Sequence, residues 1–135
     1  MSAVHVRVRL GGESYALAVE HVLEVAQLGK LSPVPGAHGS LLGVRNLRGD
    51  VLPVFDLASV LGIKGHSLPQ CLLVTEQGSL RAGFAIDEVT DVGTLPPVTE
   101  ETQSSLLAGA ALDESGLIGV VDVERLFAAV ALADA

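Results

Sequence analysis

Val4, Val6, Val8 and Leu10 alternate with His5, Arg7 and Arg9 at the start of the chain. A period of two sends one row of side chains to a core and the other to water, so this stretch predicts a half-buried strand. Gly11-Gly12 reads as a turn, and Ser14 to Leu17 resumes as a strand. Val19, Val22, Leu23 and Val25 mix helical and strand spacing, which predicts a single helical turn around Glu20 and then a strand. Pro33-Val34-Pro35-Gly36 interrupts regular structure. Leu41 to Val44 predicts a short strand, Asn46-Leu47-Arg48-Gly49 a turn, and Asp50 to Phe55 the next strand. Asp56 is placed to cap a short helix through Leu61, and Gly62 to end it.

The second half reads similarly. Cys71 to Thr75 is a short apolar run, Gln77-Gly78-Ser79 a hairpin turn, and Leu80 to Ile86 the returning strand. Val89 to Val92 predicts another strand, which Pro96-Pro97 breaks. Thr99 to Gly116 carries the weakest pattern and reads as irregular. Leu117 to Val121 predicts a strand. Asp122 starts a terminal helix over Val123 to about Leu132, with Leu126, Phe127 and Val130 on one face. Short strands, few helices and dense turn signals predict a mainly β domain of the small-barrel type.

The two halves match each other. Ala18-Val19-Glu20-His21-Val22-Leu23-Glu24-Val25 aligns with Ala85-Ile86-Asp87-Glu88-Val89-Thr90-Asp91-Val92 at an offset of 67. Leu31-Ser32-Pro33-Val34 aligns with Leu95-Pro96-Pro97-Val98 at 64, and Leu52-Pro53-Val54-Phe55-Asp56-Leu57 with Ile118-Gly119-Val120-Val121-Asp122-Val123 at 66. Three blocks in one order at a near-constant offset point to an internal duplication, with units at about 13–62 and 78–128 inside a single domain spanning 1–135. A unit of that size buries too little surface to be stable alone, so the expectation is two lobes packed together.

Composition narrows the function. Among 135 residues, 49% are apolar, enough to build a core, while aromatics are 3%, which disfavours a site of stacked rings for bases or sugars. Sixteen acids against eight bases give a formal charge of −8, unfavourable for nucleic acid or anionic lipid. Cys71 is the one cysteine; it reads as a core thiol and rules out an internal disulfide. The N-terminus lacks the apolar stretch of a secretory signal, and no apolar run is long enough to cross a bilayer, so a cytoplasmic protein is expected.

Catalytic patterns are missing from the sequence. His5, His21, His38 and His66 are scattered without metal-ligand spacing, so no metal and no cofactor are expected. Ser40, Ser59, Ser79 and Ser105 lack the glycines of a nucleophile elbow, and Gly36-Ala37-His38-Gly39 is not a phosphate-binding loop. The paired carboxylates Glu100-Glu101 and Asp113-Glu114 read as solvated surface.

One segment stands out: Gly43-Val44-Arg45-Asn46-Leu47-Arg48-Gly49-Asp50-Val51-Leu52-Pro53-Val54-Phe55-Asp56-Leu57. Together with Tyr15 to Val25 upstream, the Pro-Val-Pro-Gly turn, and Ile86-Asp87-Glu88-Val89-Thr90-Asp91-Val92 downstream, it resembles the CheW-like family of chemotaxis coupling domains from about Val4 to Phe127. The resemblance implies two SH3-like five-stranded β-barrel lobes, short connecting helices and a C-terminal helix, in agreement with the duplication. It also implies a non-catalytic adaptor whose partners are the regulatory domain of a CheA-type histidine kinase and the cytoplasmic tip of a methyl-accepting chemoreceptor. At 135 residues the chain has room for one such domain, as expected of a free adaptor.

Carried over position by position, the resemblance implies kinase binding through Val22, Glu24 and Gly43, a coupling turn at Asn46, Arg48 and Gly49, and receptor binding through Leu72, Gly83 and Val92 in the second lobe. Arg48 and Glu24 are expected to pair across the first lobe. Two departures from the family pattern mark the chain. Arg45 precedes Asn46-Leu47 where a small or apolar residue is usual, and Leu112-Asp113-Glu114-Ser115-Gly116 has an extra residue and no basic side chain. The alternative is a small-molecule-binding or regulatory β-barrel domain, which requires one concave pocket with convergent polar groups.

Overall fold

The computed structural model describes residues 3–37, 39–63, 65, 67–100 and 104–133. His38, His66 and Glu101 lie outside the described residues. The elements are β1 (Val4–Leu10), β2 (Glu13–Ala18), a 3-10 turn (Val19–His21), β3 (Val22–Gln27), β4 (Leu41–Leu47), β5 (Asp50–Asp56) and α1 (Leu57–Leu61). They continue as β6 (Cys71–Gln77), β7 (Leu80–Ile86), β8 (Glu88–Thr94), β9 (Val98–Thr99), β10 (Leu107–Asp113), β11 (Gly116–Val121) and α2 (Val123–Ala133). No helix among the described residues is long and apolar enough to cross a membrane.

Two sheets form, in the orders β3-β6-β7-β5-β4 and β8-β1-β2-β11-β10-β9. Each sheet takes strands from both halves of the chain. The orders coincide when β1 is set against β6, β2 against β7, β3 against β8, β4 against β10 and β5 against β11, with β9 extra. In each sheet strands from different halves meet twice, once parallel, β5 with β7 and β2 with β11, and once antiparallel, β3 with β6 and β1 with β8. A bulge falls at Leu23 in one sheet and at Thr90 in the other, 67 residues apart. The correspondence loosens just before the bulges, where Val19 opens the 3-10 turn and Ile86 ends β7.

No ladder joins β3 to β4 or β8 to β9 among the described residues, so both sheets are open rather than the closed five-stranded barrels implied by the resemblance. The stretch read as irregular contains a full strand, β10. Its run Leu107-Ala108-Gly109-Ala110-Ala111 is poor in β-branched residues, so local preference is weak and pairing with β11 decides the conformation.

The main core lies between the sheets. Val6, Val8, Leu10 and Leu17 from one sheet meet Phe55, Leu73, Phe84 and Ile86 from the other, with Leu126 and Phe127 of α2. Phe84 packs on Phe55 and edge-on to Phe127, with ring centroids 5.9 Å apart in both pairs. Each fully buried side chain of this size contributes roughly 1.5–3 kcal/mol of transfer free energy. Cys71 packs against this core and is half-buried.

The outer faces differ. In the five-stranded sheet Leu52, Val54, Leu72, Val74 and Ala85 make a second cluster. In the six-stranded sheet the cluster shrinks to Ala16, Ala111 and Ile118, and Arg7 and Asp113 form an ion pair at 2.6 Å. Asp113 is thus not the freely solvated carboxylate expected. Ser115 donates to it from both its hydroxyl and its amide, and with Arg7 these bonds push its pKa down to about 2.

The helix starts follow the sequence in part. Asp122 accepts a bond from the Arg125 amide and caps α2. Asp56 occupies the same position before α1 but makes no side-chain bond to the backbone; it accepts from the Ser59 hydroxyl at 2.8 Å instead.

Candidate functional site

The turn between β4 and β5 has two central residues, Arg48 and Gly49, with φ of 54° and 88°. Two consecutive left-handed residues match the twist of a tight hairpin. Asn46 secures the turn by accepting the Gly49 amide at 3.0 Å on its side-chain oxygen. Arg48 is the one non-glycine residue with positive φ among the described residues. Such backbone costs on the order of 1–3 kcal/mol, and here it accompanies an arginine aimed at a neighbouring strand.

That strand is β3. Its bulge sets Val22 opposite Thr75 and Glu24 opposite Val74, so Val22 and Glu24 face opposite sides of the sheet. Val22 leans on the main core. Glu24 faces the hairpin, where its carboxylate accepts from Arg48 Nη1 at 2.6 Å. The expected pair is therefore formed, with the arginine side chain 75% exposed and the glutamate 27%. Beside it, Arg81 lies 2.9 Å from Glu76 and 3.7 Å from Asp50, so ion pairs surround a small 150 Å³ hollow lined by Leu23, Leu47 and Leu52.

Arg45 completes the arrangement. Its guanidinium donates to the carbonyls of Gln27 and Leu28 at the end of β3, and Gly29 leaves room for it, since a Cβ there would come within 3.1 Å of Arg45 Cζ. Arg45 and Arg48 thus tie the hairpin side of the open seam to β3, where no backbone ladder does so. The unusual residue at position 45 gave the sequence signal, but its partners are backbone carbonyls that no side-chain pattern identifies.

Gly43 is buried at the far edge of the same sheet. A Cβ there would lie 2.5 Å from the Ser32 carbonyl oxygen, and its φ is +153°. The bare backbone lets Ser32 and Val44 exchange two hydrogen bonds of 2.9 Å, seating the proline-rich loop on β4.

The strand register joins several expected residues in one row. Glu24 pairs with Val74, Val74 with Gly83, Gly83 with Val54, and Val54 with Gly43. Leu72 lies on the same face, opposite Ala26 and Ala85. Leu72 and Gly83 therefore share a sheet with Val22, Glu24 and Gly43, not the second lobe expected for them. The cause is that β6 and β7 cross into the sheet of the first half. Both are buried, and a Cβ on Gly83 would meet Leu72 Cδ1 at 2.5 Å. Val92 stands on β8 of the six-stranded sheet, opposite Val6, and is 55% exposed.

Two exposed side chains escaped the sequence reading: Leu23 and Val25 on β3, each 46% exposed. Their signal was present in the mixed spacing from Val19 to Val25, which leaves apolar residues on both faces of an edge strand. The two described histidines each meet a backbone carbonyl, with His21 Nδ1 3.1 Å from that of Glu76 and His5 Nδ1 3.3 Å from that of Ala3. Among the described residues no three potential ligands gather as a metal site. What converges at the seam is a directional ion pair beside exposed aliphatic side chains, a combination suited to protein contact.

The profile of the CheW-like domain matches residues 5–131. The chain belongs to the CheW-like domain family. This CheW-like domain is 27% identical over 129 residues to the chemotaxis protein CheW of Rhizobium meliloti, covering 88% of this chain and 83% of that one. It is 36% identical over 116 residues to protein FrzA of Myxococcus xanthus, covering 84% and 70%. The crystal structure of the scaffolding protein TtCheW from Thermoanaerobacter tengcongensis superposes with a TM-score of 0.79 at 25% identity, covering 94% of this chain and 88% of that one. The mainly β, two-sheet fold is thus structurally similar to that of a CheW scaffold.

Proposed function

We propose that this CheW-like domain, a chemotaxis-type coupling scaffold, joins the regulatory domain of a CheA-type histidine kinase to the cytoplasmic tip of a chemoreceptor. It works by binding, in the cytoplasm, with no reaction of its own. The observation that carries the reading is the Arg48–Glu24 pair, held at 2.6 Å by a left-handed arginine and a bulged strand beside Leu23. An arginine fixed by one carboxylate still has free donors on its planar fork for a partner.

The kinase face consists of Glu24 with the exposed Leu23 beside it, and Val22 and Val25 flank it from the other side of the strand. Asn46, Arg48 and Gly49 form the coupling turn. Gly43 acts through the loop that it seats. On the receptor side Val92 offers an exposed side chain, whereas Leu72 and Gly83 act only through the packing of the sheet. The two sheets derive from a duplicated unit, and each is an opened SH3-like barrel. The matched strand orders and the coincident bulges support this reading.

Arg48→Ala and Leu23→Asp test the proposal by titration against a CheA-type regulatory domain beside a thermal melt. Each variant is expected to melt within a few degrees of the parent and to bind at least about tenfold more weakly. Unchanged affinity in both variants overturns the assignment of this face.

A further inference from the structure

The corresponding faces of the two sheets are covered differently. In the five-stranded sheet the outer end of the core-facing side carries Pro53, Leu80 and Ala82, which share a pocket of only 150 Å³ with Phe127 and Val130 of α2. In the six-stranded sheet, Gly119 stands where Pro53 stands and Tyr15 where Ala82 stands, by the matched strand orders. The helix that would cover this second face is α1, since Asp56-Leu57 aligns with Asp122-Val123. But α1 stops after five residues at Leu61, where Gly62 turns left-handed, while α2 runs for eleven.

The face left open holds a cavity of about 450 Å³ lined by Glu13, Tyr15, Leu107, Ala110, Leu117 and Gly119. Leu117 and its cross-strand partner Leu112 are 69% and 65% exposed. The Tyr15 ring lies close over Gly119, where a Cβ would come within 2.8 Å of it, and its hydroxyl donates to Glu13 at 2.6 Å. Glu114 stands exposed at the β10–β11 turn, and among the described residues no lysine or arginine lines the cavity.

We infer that this face of the six-stranded sheet is a docking site for a short, basic, amphipathic helix of a partner protein. The helical form follows from α2, which presents Phe127 and Val130, three residues apart, to the corresponding face of the other sheet. The basic character follows from Glu13, which lines the cavity, and Glu114 in the turn beside the lining Ser115, in a chain that carries a net charge of −8. The apolar pair of such a helix lies between Leu112, Leu117 and the Tyr15 ring, and its flanking lysines or arginines reach the two glutamates. This contact is separate from the seam between β3 and β4, and its test uses neither kinase nor receptor.

The probe is a synthetic peptide of about 16 residues, long enough to form a helix, with Phe and Val at i and i+3 and lysines flanking them along the helix. Titration into labelled protein is expected to shift the amides of Gly12, Tyr15, Leu117 and Gly119 in a saturable way. A scrambled peptide of the same composition and a Leu117→Glu variant are each expected to bind at least about tenfold more weakly. Leu117 is exposed, so the variant keeps its fold; Glu13→Lys, with the same expected loss, is the second check. Shifts centred elsewhere, equal binding of the scrambled peptide, or indifference to both variants overturns the inference. Self-association of the parent that Leu117→Glu abolishes also overturns it, by assigning the face to a second copy of the chain.

Discussion

Replacing Gly43 by alanine separates packing from partner contact at a position proposed to support kinase binding. The added Cβ lies 2.5 Å from the Ser32 carbonyl oxygen, well inside contact distance, and the obstacle is backbone rather than a flexible side chain. The residue must also hold φ of +153°, which strains any side chain. Two hydrogen bonds between Ser32 and Val44 depend on the close approach. Losing both costs roughly 1–3 kcal/mol at 0.5–1.5 each, and the strained backbone adds roughly 1–3. A total of about 2–6 kcal/mol acts on an unfolding entropy of about 0.28 kcal/mol/K for a chain of 135 residues. The melting temperature is therefore expected to fall by about 7–21 °C. Calorimetry measures the fall, and amide exchange at Ser32 and Val44 reports whether the loop has lifted. A variant that melts within about 2 °C of the parent, with both amides still protected, refutes the reasoning and leaves Gly43 as a contact residue alone.

Arg48→Ala removes a pair whose arginine is largely exposed, so it is expected to cost no more than about 1 kcal/mol and to lower the melting temperature by at most about 4 °C. Arg45→Met keeps the aliphatic stem but removes the donors to Gln27 and Leu28; exchange of the β3 amides should quicken while that of the β6 and β7 amides stays slow. Asp113 should titrate near 2 by carbon-detected NMR, and Ser115→Ala should raise that value, because the serine's bonds are the largest cause of the shift. Its folded-state pKa lies below the ordinary aspartate value of 3.8, so the stability it contributes is full above that value and is lost as pH falls toward 2. An Asp113→Asn protein should therefore show a smaller loss of stability over that acid range in pH-dependent melts.

The strands with strong alternation or turn signals were legible. Val4 to Leu10, the turn at Arg48-Gly49 and the hairpin at Gly78-Ser79 are local features, and the structure keeps them. The strand β10 was not legible, because alanine and glycine carry little β preference and only the neighbouring strand fixes it. The pairing of Arg48 with Glu24 followed from family resemblance. The αL backbone that aims the arginine, and the bulge that turns Glu24 towards it, appear only in three dimensions. The exchange of β6 and β7 into the sheet of the first half was hidden for a different reason. An alignment of repeats shows which segments correspond, not which copies pair, so Leu72 and Gly83 were assigned to the wrong lobe. Burial was equally hidden at Leu72, since an apolar residue at an interface and one in a core look alike in sequence.

The central claim is that one small domain holds two signalling partners together. Size-exclusion chromatography with light scattering tests it on mixtures of the intact protein with a CheA-type regulatory domain and a chemoreceptor cytoplasmic tip from the same genome. The account predicts a complex with each partner alone and a ternary complex when all three are mixed, with the kinase domain and receptor tip eluting together only when the adaptor is present. Separate elution of all three proteins at concentrations well above those expected for signalling contacts contradicts it.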